Sequence, residues 1–268
     1  MVVTSEGPFG RGAIEEVHLP RAPLVGAIAQ IRFPKSPELA SDAYLARVRE
    51  RLKAVYPILR EERTVSILVG SPAVQSGPPA DRIWRFKSRD EMWQVSLSET
   101  FAALDTSAYK DREDFCSRFD EVVETIAQVL APPMVDRLGL RYHNRLAGES
   151  LSELDRFVSQ PLLGLSQAVA EPAKLLQSLT QAQFRLDDID IVVRHGLLPA
   201  NAIVDPSFKP MPEPTWMLDL DVYKESKRDF TPSDIGQDAR RFADIAYRFF
   251  RWATTDALVA RSRDAVDL

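Results

Sequence analysis

Two short segments place charged groups where they could act on a ligand. Strand alternation over residues 135–146, VDRLGLRYHNRL, puts Arg137, Gly139, Arg141, His143 and Arg145 on one face. Leu138, Leu140, Tyr142 and Asn144 fall on the other. Such a face is a row of three guanidinium groups and an imidazole, spaced about 6.5–7 Å apart along the strand. No aspartate or glutamate shares it. Neutralisation has to come from another strand, from solvent or from a ligand. In residues 216–224, WMLDLDVYK, the alternation buries Trp216, Leu218, Leu220 and Val222 and leaves Asp219, Asp221 and Tyr223 on the opposite side.

The plain reading makes each segment a solvated sheet face, with the aspartates neutralising the arginines in cross-strand pairs if the strands are neighbours. The sharper reading is a groove gripping an anionic ligand or an acidic partner surface through arginine's planar donors. Arg137, Arg141, His143, Arg145, Asp219 and Asp221 are then the candidate binding residues. A metal held by Asp219 and Asp221 ranks behind both, because hard cations want more oxygen ligands than two carboxylates supply.

Other chemistries find less support. There is no G-x-S-x-G elbow, and Ser71 and Ser166 lack the flanking glycines of a sharp nucleophile turn. The one cysteine, Cys116, follows Phe115 beside an apolar helix stripe, where packing is the default role. His18, His143 and His195 stand far apart, without metal-ligand spacing. No glycine cluster precedes a helix to cradle phosphate. No catalytic residue is assigned, and neither a metal nor a cofactor is expected.

The elements that must position these groups read as α+β. Residues 24–33, apolar and bounded by Pro23 and Pro34, predict a buried strand. Ser41 or Asp42 caps a helix that ends at Pro57, with a basic outer face that solvation explains. Strands are expected at 64–69, 82–87 and 93–97, the closely spaced ones joined as hairpins. The clearest helix spans 112–130, with Asp111 as N-cap and Phe115, Phe119, Val122, Val123, Ile126 and Val129 at helical spacing. After the 135–146 strand come a short helix near 152–158, strands at 179–186 and 189–197, and the strand at 216–224. Pro232 opens a last long helix with Phe242, Ile245, Ala246, Phe249 and Phe250 inward. The expected architecture is antiparallel sheet with long amphipathic helices on one face. It forms a single unit over residues 19–263 that divides, if at all, into similar lobes at 19–148 and 149–263.

The chain has 268 residues, 45% hydrophobic and 27% charged, with a formal charge of −5. That balance argues against direct nucleic-acid binding, which needs a basic face. The opening residues lack an apolar secretory core, no run suits a membrane span, and a lone cysteine excludes an internal disulfide. The cytoplasm is the expected compartment, with no membrane association.

Four segments, PLVGAIAQIRF, RLGLRYHNR, LDLDVY and FFRWATTDAL, occur in the order seen in a sporadically distributed, uncharacterised prokaryotic family, which the chain resembles over residues 19–261. Members usually carry an acidic residue where this chain has Gly26, and often a histidine near Ala243. The resemblance implies no activity. Its sporadic occurrence implies genes that move between genomes, as in defence or toxin–antitoxin islands. The leading expectation is therefore a non-catalytic interaction protein, antitoxin-like or immunity-associated, with a protein partner encoded by an adjacent gene; self-association is left open. Against it stand an enzyme acting on an anionic small molecule or nucleotide through the arginine face, and a small-molecule sensor with a pocket between sheet and helices. A closed apolar cavity with one or two polar groups would favour the sensor. An open cleft collecting Arg141, His143 and Asp219 would favour the enzyme.

Overall fold

The computed structural model describes residues 7–10, 17–36, 38, 41–63, 82–167, 173–205 and 207–263. The strand expected at 64–69 lies outside them. Nine strands form one antiparallel sheet, in the order β2-β3-β4-β5-β1-β6-β9-β8-β7. They are β1 (Leu24–Arg32), β2 (Ile58–Arg63), β3 (Arg82–Lys87), β4 (Trp93–Leu97), β5 (Phe101–Thr106), β6 (Met134–Ala147), β7 (Ser178–Leu186), β8 (Ile189–Leu198) and β9 (Thr215–Asp229). The helices are α1 (Asp42–Leu52), α2 (Arg112–Leu130), the short α3 (Glu149–Ser152), α4 (Leu154–Phe157) and α5 (Gln160–Leu163), then α6 (Pro232–Ala253) and α7 (Asp256–Arg263). The chain is α+β. No helix among the described residues is long and apolar enough to cross a membrane.

The sheet is built outward from β1 and β6. β1 pairs with β5 on one side and β6 on the other, and β6 pairs in turn with β9. The same sheet therefore runs through both halves of the chain, with β6 hydrogen-bonded to β1 on one side and β9 on the other. Each meander ends in a long helix. α2 starts where Asp111 accepts a hydrogen bond from the Asp114 backbone N–H, which satisfies one of the free donors of the first turn. It stops at Ala131, which takes a left-handed conformation (φ 45°) and returns its N–H to Ala127 and Ile126. α6 begins with Pro232 in its first turn, where a missing N–H costs nothing. The two helices touch each other; α2 also contacts β5, and α6 contacts β6 and β9.

Phe115, Phe119, Val122 and Ile126 are buried, and the Phe115 ring lies 6.2 Å from that of Trp93. β9 extends to Asp229, beyond the apolar alternation, because its polar second half still finds ladder partners in the start of β6. The helix expected near 152–158 is split into α3, α4 and α5. Left-handed or irregular residues at Gly148 and Gly164 bracket them.

Candidate functional site

β6 presents a different assembly on each of its faces. On the first, the register sets Arg141 opposite Asp221 and His143 opposite Asp219. Arg141 nevertheless reaches diagonally to Asp219, with Nε and Nη2 donating to the two carboxylate oxygens at 2.8 and 2.7 Å. Its Nη1 donates to Asp205, from the loop between β8 and β9, at 2.6 Å. Arg194, directly opposite Asp219 on β8, adds a third bond to that carboxylate at 3.2 Å. Asp219 is 1% exposed. Burial alone would raise its pKa, but His143 and Arg141 outweigh that and hold it below the ordinary carboxylate range.

His143, also 1% exposed, closes the cluster. Arg145 Nε donates to His143 Nε2 at 2.8 Å, and a guanidinium cannot accept. Nε2 therefore carries the lone pair, and the proton sits on Nδ1, 3.5 Å from Asp219 Oδ1. Burial lowers the imidazole pKa; Arg145 and Arg141 add to this, and Asp219 opposes it. The side chain is held neutral. Arg145 finishes on Thr215 Oγ1 at 2.7 Å. Phe208 covers the assembly, its ring stacked on His143 with centroids 4.2 Å apart and planes 9° apart. Arg137 stands further along, 3.5 Å from Asp221 and above the Tyr223 ring. Burial raises the pKa of Asp221 more than Arg137 lowers it. The structure thus gathers Arg141, His143, Arg145 and Asp219 into one network and leaves Arg137 and Asp221 as a looser neighbouring pair.

On the opposite face, Tyr142 and Asn144 form the floor of a cavity of about 550 Å³. Leu24 of β1 and Leu220 of β9 complete the floor. One wall is α6, through Ala243, Ala246, Tyr247 and Phe250; the other is the entry to α2, residues Tyr109 to Arg112. The segment from Val17 to Ala22 closes one side, fastened by the Val17 N–H on Tyr247 Oη at 2.9 Å and the Arg21 N–H on the Ser262 carbonyl at 3.1 Å. The space exists because α6 presents alanines three residues apart, at 243 and 246, where its neighbours 242, 249 and 250 are phenylalanines.

The floor is polar without being charged. Tyr142 is 8% exposed, and its hydroxyl is buried beside Tyr109. Burial lifts its pKa well above the usual phenol value, and the neighbouring Tyr109, whose ring stands edge-on at 5.6 Å, lifts it further. Asn144 spends one amide hydrogen on the Leu218 carbonyl at 3.2 Å. Its amide oxygen and second hydrogen remain beyond that bond. The cations at the mouth have anions beside them: Arg112 lies 3.5 Å from Asp244 and Lys110 3.6 Å from Asp111. Sequence reasoning placed Tyr142 and Asn144 on the face opposite the arginines and gave them no role. The available signal was Asn144, an amide on an otherwise apolar strand face.

Among the described residues no group of three or more histidines, cysteines or acids is arranged to hold a metal. Cys116 is buried, with its thiol pKa pushed up to about 11 by desolvation. No family model matches the chain, and no curated protein matches it.

Proposed function

We propose that the chain is a non-catalytic binding protein that takes a small, largely neutral molecule into the cavity between the sheet and its long helices. The observation that carries this reading is a space of about 550 Å³ between the sheet and its long helices, floored by the neutral side chains of Tyr142 and Asn144. Asn144 spends one amide hydrogen on the Leu218 carbonyl, and a ligand atom can take up its remaining donor or acceptor capacity. Pockets of ~300–1,000 Å³ with a few convergent polar groups are the usual size for small-molecule sites. A charged ligand group at the floor would lose its water and meet no counter-charge, so the floor favours an amide, hydroxyl or ring nitrogen.

In this reading the long helices cover one face of the sheet, two similar halves meet at the β1–β6 pair, and the cavity sits at that junction. The expected protein partner, antitoxin-like or from a defence island, would then receive the binding signal. The arginine cluster serves mainly to hold β6, β8, β9 and the β8–β9 loop together.

Phenol and benzamide are suitable first probes, being neutral, aromatic and small. Binding to the native state alone raises thermal stability by RT ln(1 + [L]/Kd). We expect a concentration-dependent rise in Tm with at least one of them, lost in Ala243→Trp, whose indole fills the space. No rise with either probe, or a rise that survives Ala243→Trp, overturns the proposal.

A further inference from the structure

The loop between β8 and β9 sets an acidic and an aromatic side chain onto the opposite face of β6. Asp205 accepts from Arg141 Nη1 at 2.6 Å, and Phe208 stacks on His143 with the Arg141 guanidinium 5.1 Å from its ring centre. The ring also presses on β1 at Gly26. A methyl group there would come within 2.8 Å of Phe208 Cε1, so the absence of a side chain is what admits the ring. Gly26, His143 and Arg141 thus bound a flat slot with a cation at its edge.

The slot and its occupant differ in how they are held. Arg141 holds Asp219 through Nε and Nη2, atoms other than the Nη1 that meets Asp205, and His143 is fixed from behind by Arg145. The occupant's backbone bonds are internal to its loop: Asn201 N–H to Met211 O, Ala202 N–H to Pro199 O and Phe208 N–H to Asp205 O. Among the described residues none of them joins the loop tip to a strand. With Asp205 withdrawn, the four guanidinium groups of Arg137, Arg141, Arg145 and Arg194 would face three carboxylates, those of Asp219, Asp221 and Glu225. One positive charge would then lack a partner, and an incoming carboxylate would neutralise it.

We infer that this slot is a docking site for a peptide segment of a protein partner carrying an acidic residue followed three positions later by an aromatic one, and that Asp205 and Phe208 occupy it as a tethered competitor. The chemistry of the occupant is the argument for the partner: a carboxylate and a ring at this separation already fit the slot. Tethering gives the loop a high effective concentration, so the partner segment binds weakly until it displaces the loop. The site is separate from the cavity and does not depend on it.

The test uses the full chain and the peptide acetyl-Asp-Pro-Ser-Phe-amide, which copies residues 205–208. In titration calorimetry, the Asp205→Ala/Phe208→Ala variant should bind the peptide at least tenfold more tightly than the natural chain. Adding Gly26→Ala should remove that gain, because its methyl group enters the ring's place without touching the buried charges. If the double variant does not fold, Phe208→Ala alone, which leaves Asp205 on Arg141, should show the same ordering. A folded opened variant that binds no peptide overturns the inference, as does binding unaffected by Gly26→Ala. Binding of phenylacetate in place of the peptide overturns it too, since the slot would then serve a small aromatic acid.

Discussion

The two faces of β6 both carry polar side chains and use them in opposite ways. Arg141, His143 and Arg145 are charged or basic, and each ends on a partner within the chain: Asp219 and Asp205, the Asp219–Arg145 pair, and Thr215. Tyr142 and Asn144 are neutral and line a cavity, and Asn144 keeps an amide oxygen and a hydrogen beyond its bond to Leu218. The face with more formal charge has less to offer a newcomer unless something is displaced first. A count of charges alone therefore does not measure what a face can offer a ligand; the unsatisfied capacity of buried groups matters as well.

If the charged face is held together by Asp219, its removal should give the largest effect. Asp219→Ala removes the buried carboxylate shared by Arg141, Arg194 and His143 and leaves Arg141 its bond to Asp205, and breaking a buried pair in this way costs about 3–5 kcal/mol. Urea denaturation measures it, and a loss below about 1 kcal/mol would mean that solvent reaches the cluster freely. The cavity face should respond differently to enlargement. Ala243→Leu in a filled core would cost about 1–3 kcal/mol through overpacking. Beside an empty cavity it should cost less than the lower end of that range, which equilibrium unfolding can resolve.

The pH response separates the faces again. His143 is kept neutral when folded, with its pKa below the ordinary 6.5. Between that value and the folded pKa the unfolded chain binds the extra proton, so stability falls as pH is lowered through this window. The pH dependence of unfolding should flatten there in His143→Gln. The depressed pKa of Asp219 has the same sign at lower pH: its contribution is present above the ordinary carboxylate value and is lost as pH falls below it. Tyr142→Phe should have the smallest effect on stability, within about 1 kcal/mol, since it deletes one neutral hydroxyl beside Tyr109. It should still weaken any ligand that binds through that hydroxyl.

Much of this fold is legible in the sequence because local signals agree with one another. Asp111, the helical spacing of Phe115 to Val129 and the following Pro132–Pro133 all mark the same helix, and the structure places α2 over those residues. The alternation in β6 correctly separates Arg141 and His143 from Tyr142 and Asn144. The sequence does not show that Arg141 passes over its direct neighbour Asp221 for the diagonal Asp219, or that Arg194 joins them, since both depend on strand order. The cavity is hidden for the same reason. Ala243 and Ala246 look like ordinary small residues in an amphipathic helix until α6 is set over Tyr142. Likewise, nothing local to the proline-rich loop reveals that Phe208 will lie against Gly26, almost two hundred residues away in the chain.

The most direct test of the division between the faces is carbon–proton NMR of the chain with alanine methyl groups labelled, titrated with phenol and benzamide. The account predicts that at least one probe shifts the Ala243 and Ala246 methyl signals saturably. Ala27 and Ala29, buried in β1, should stay in place, and the Arg141 side-chain Nε–H signal should be unchanged. Saturable shifts confined to Arg141, or no saturable shift at the α6 alanines with either probe, would contradict it.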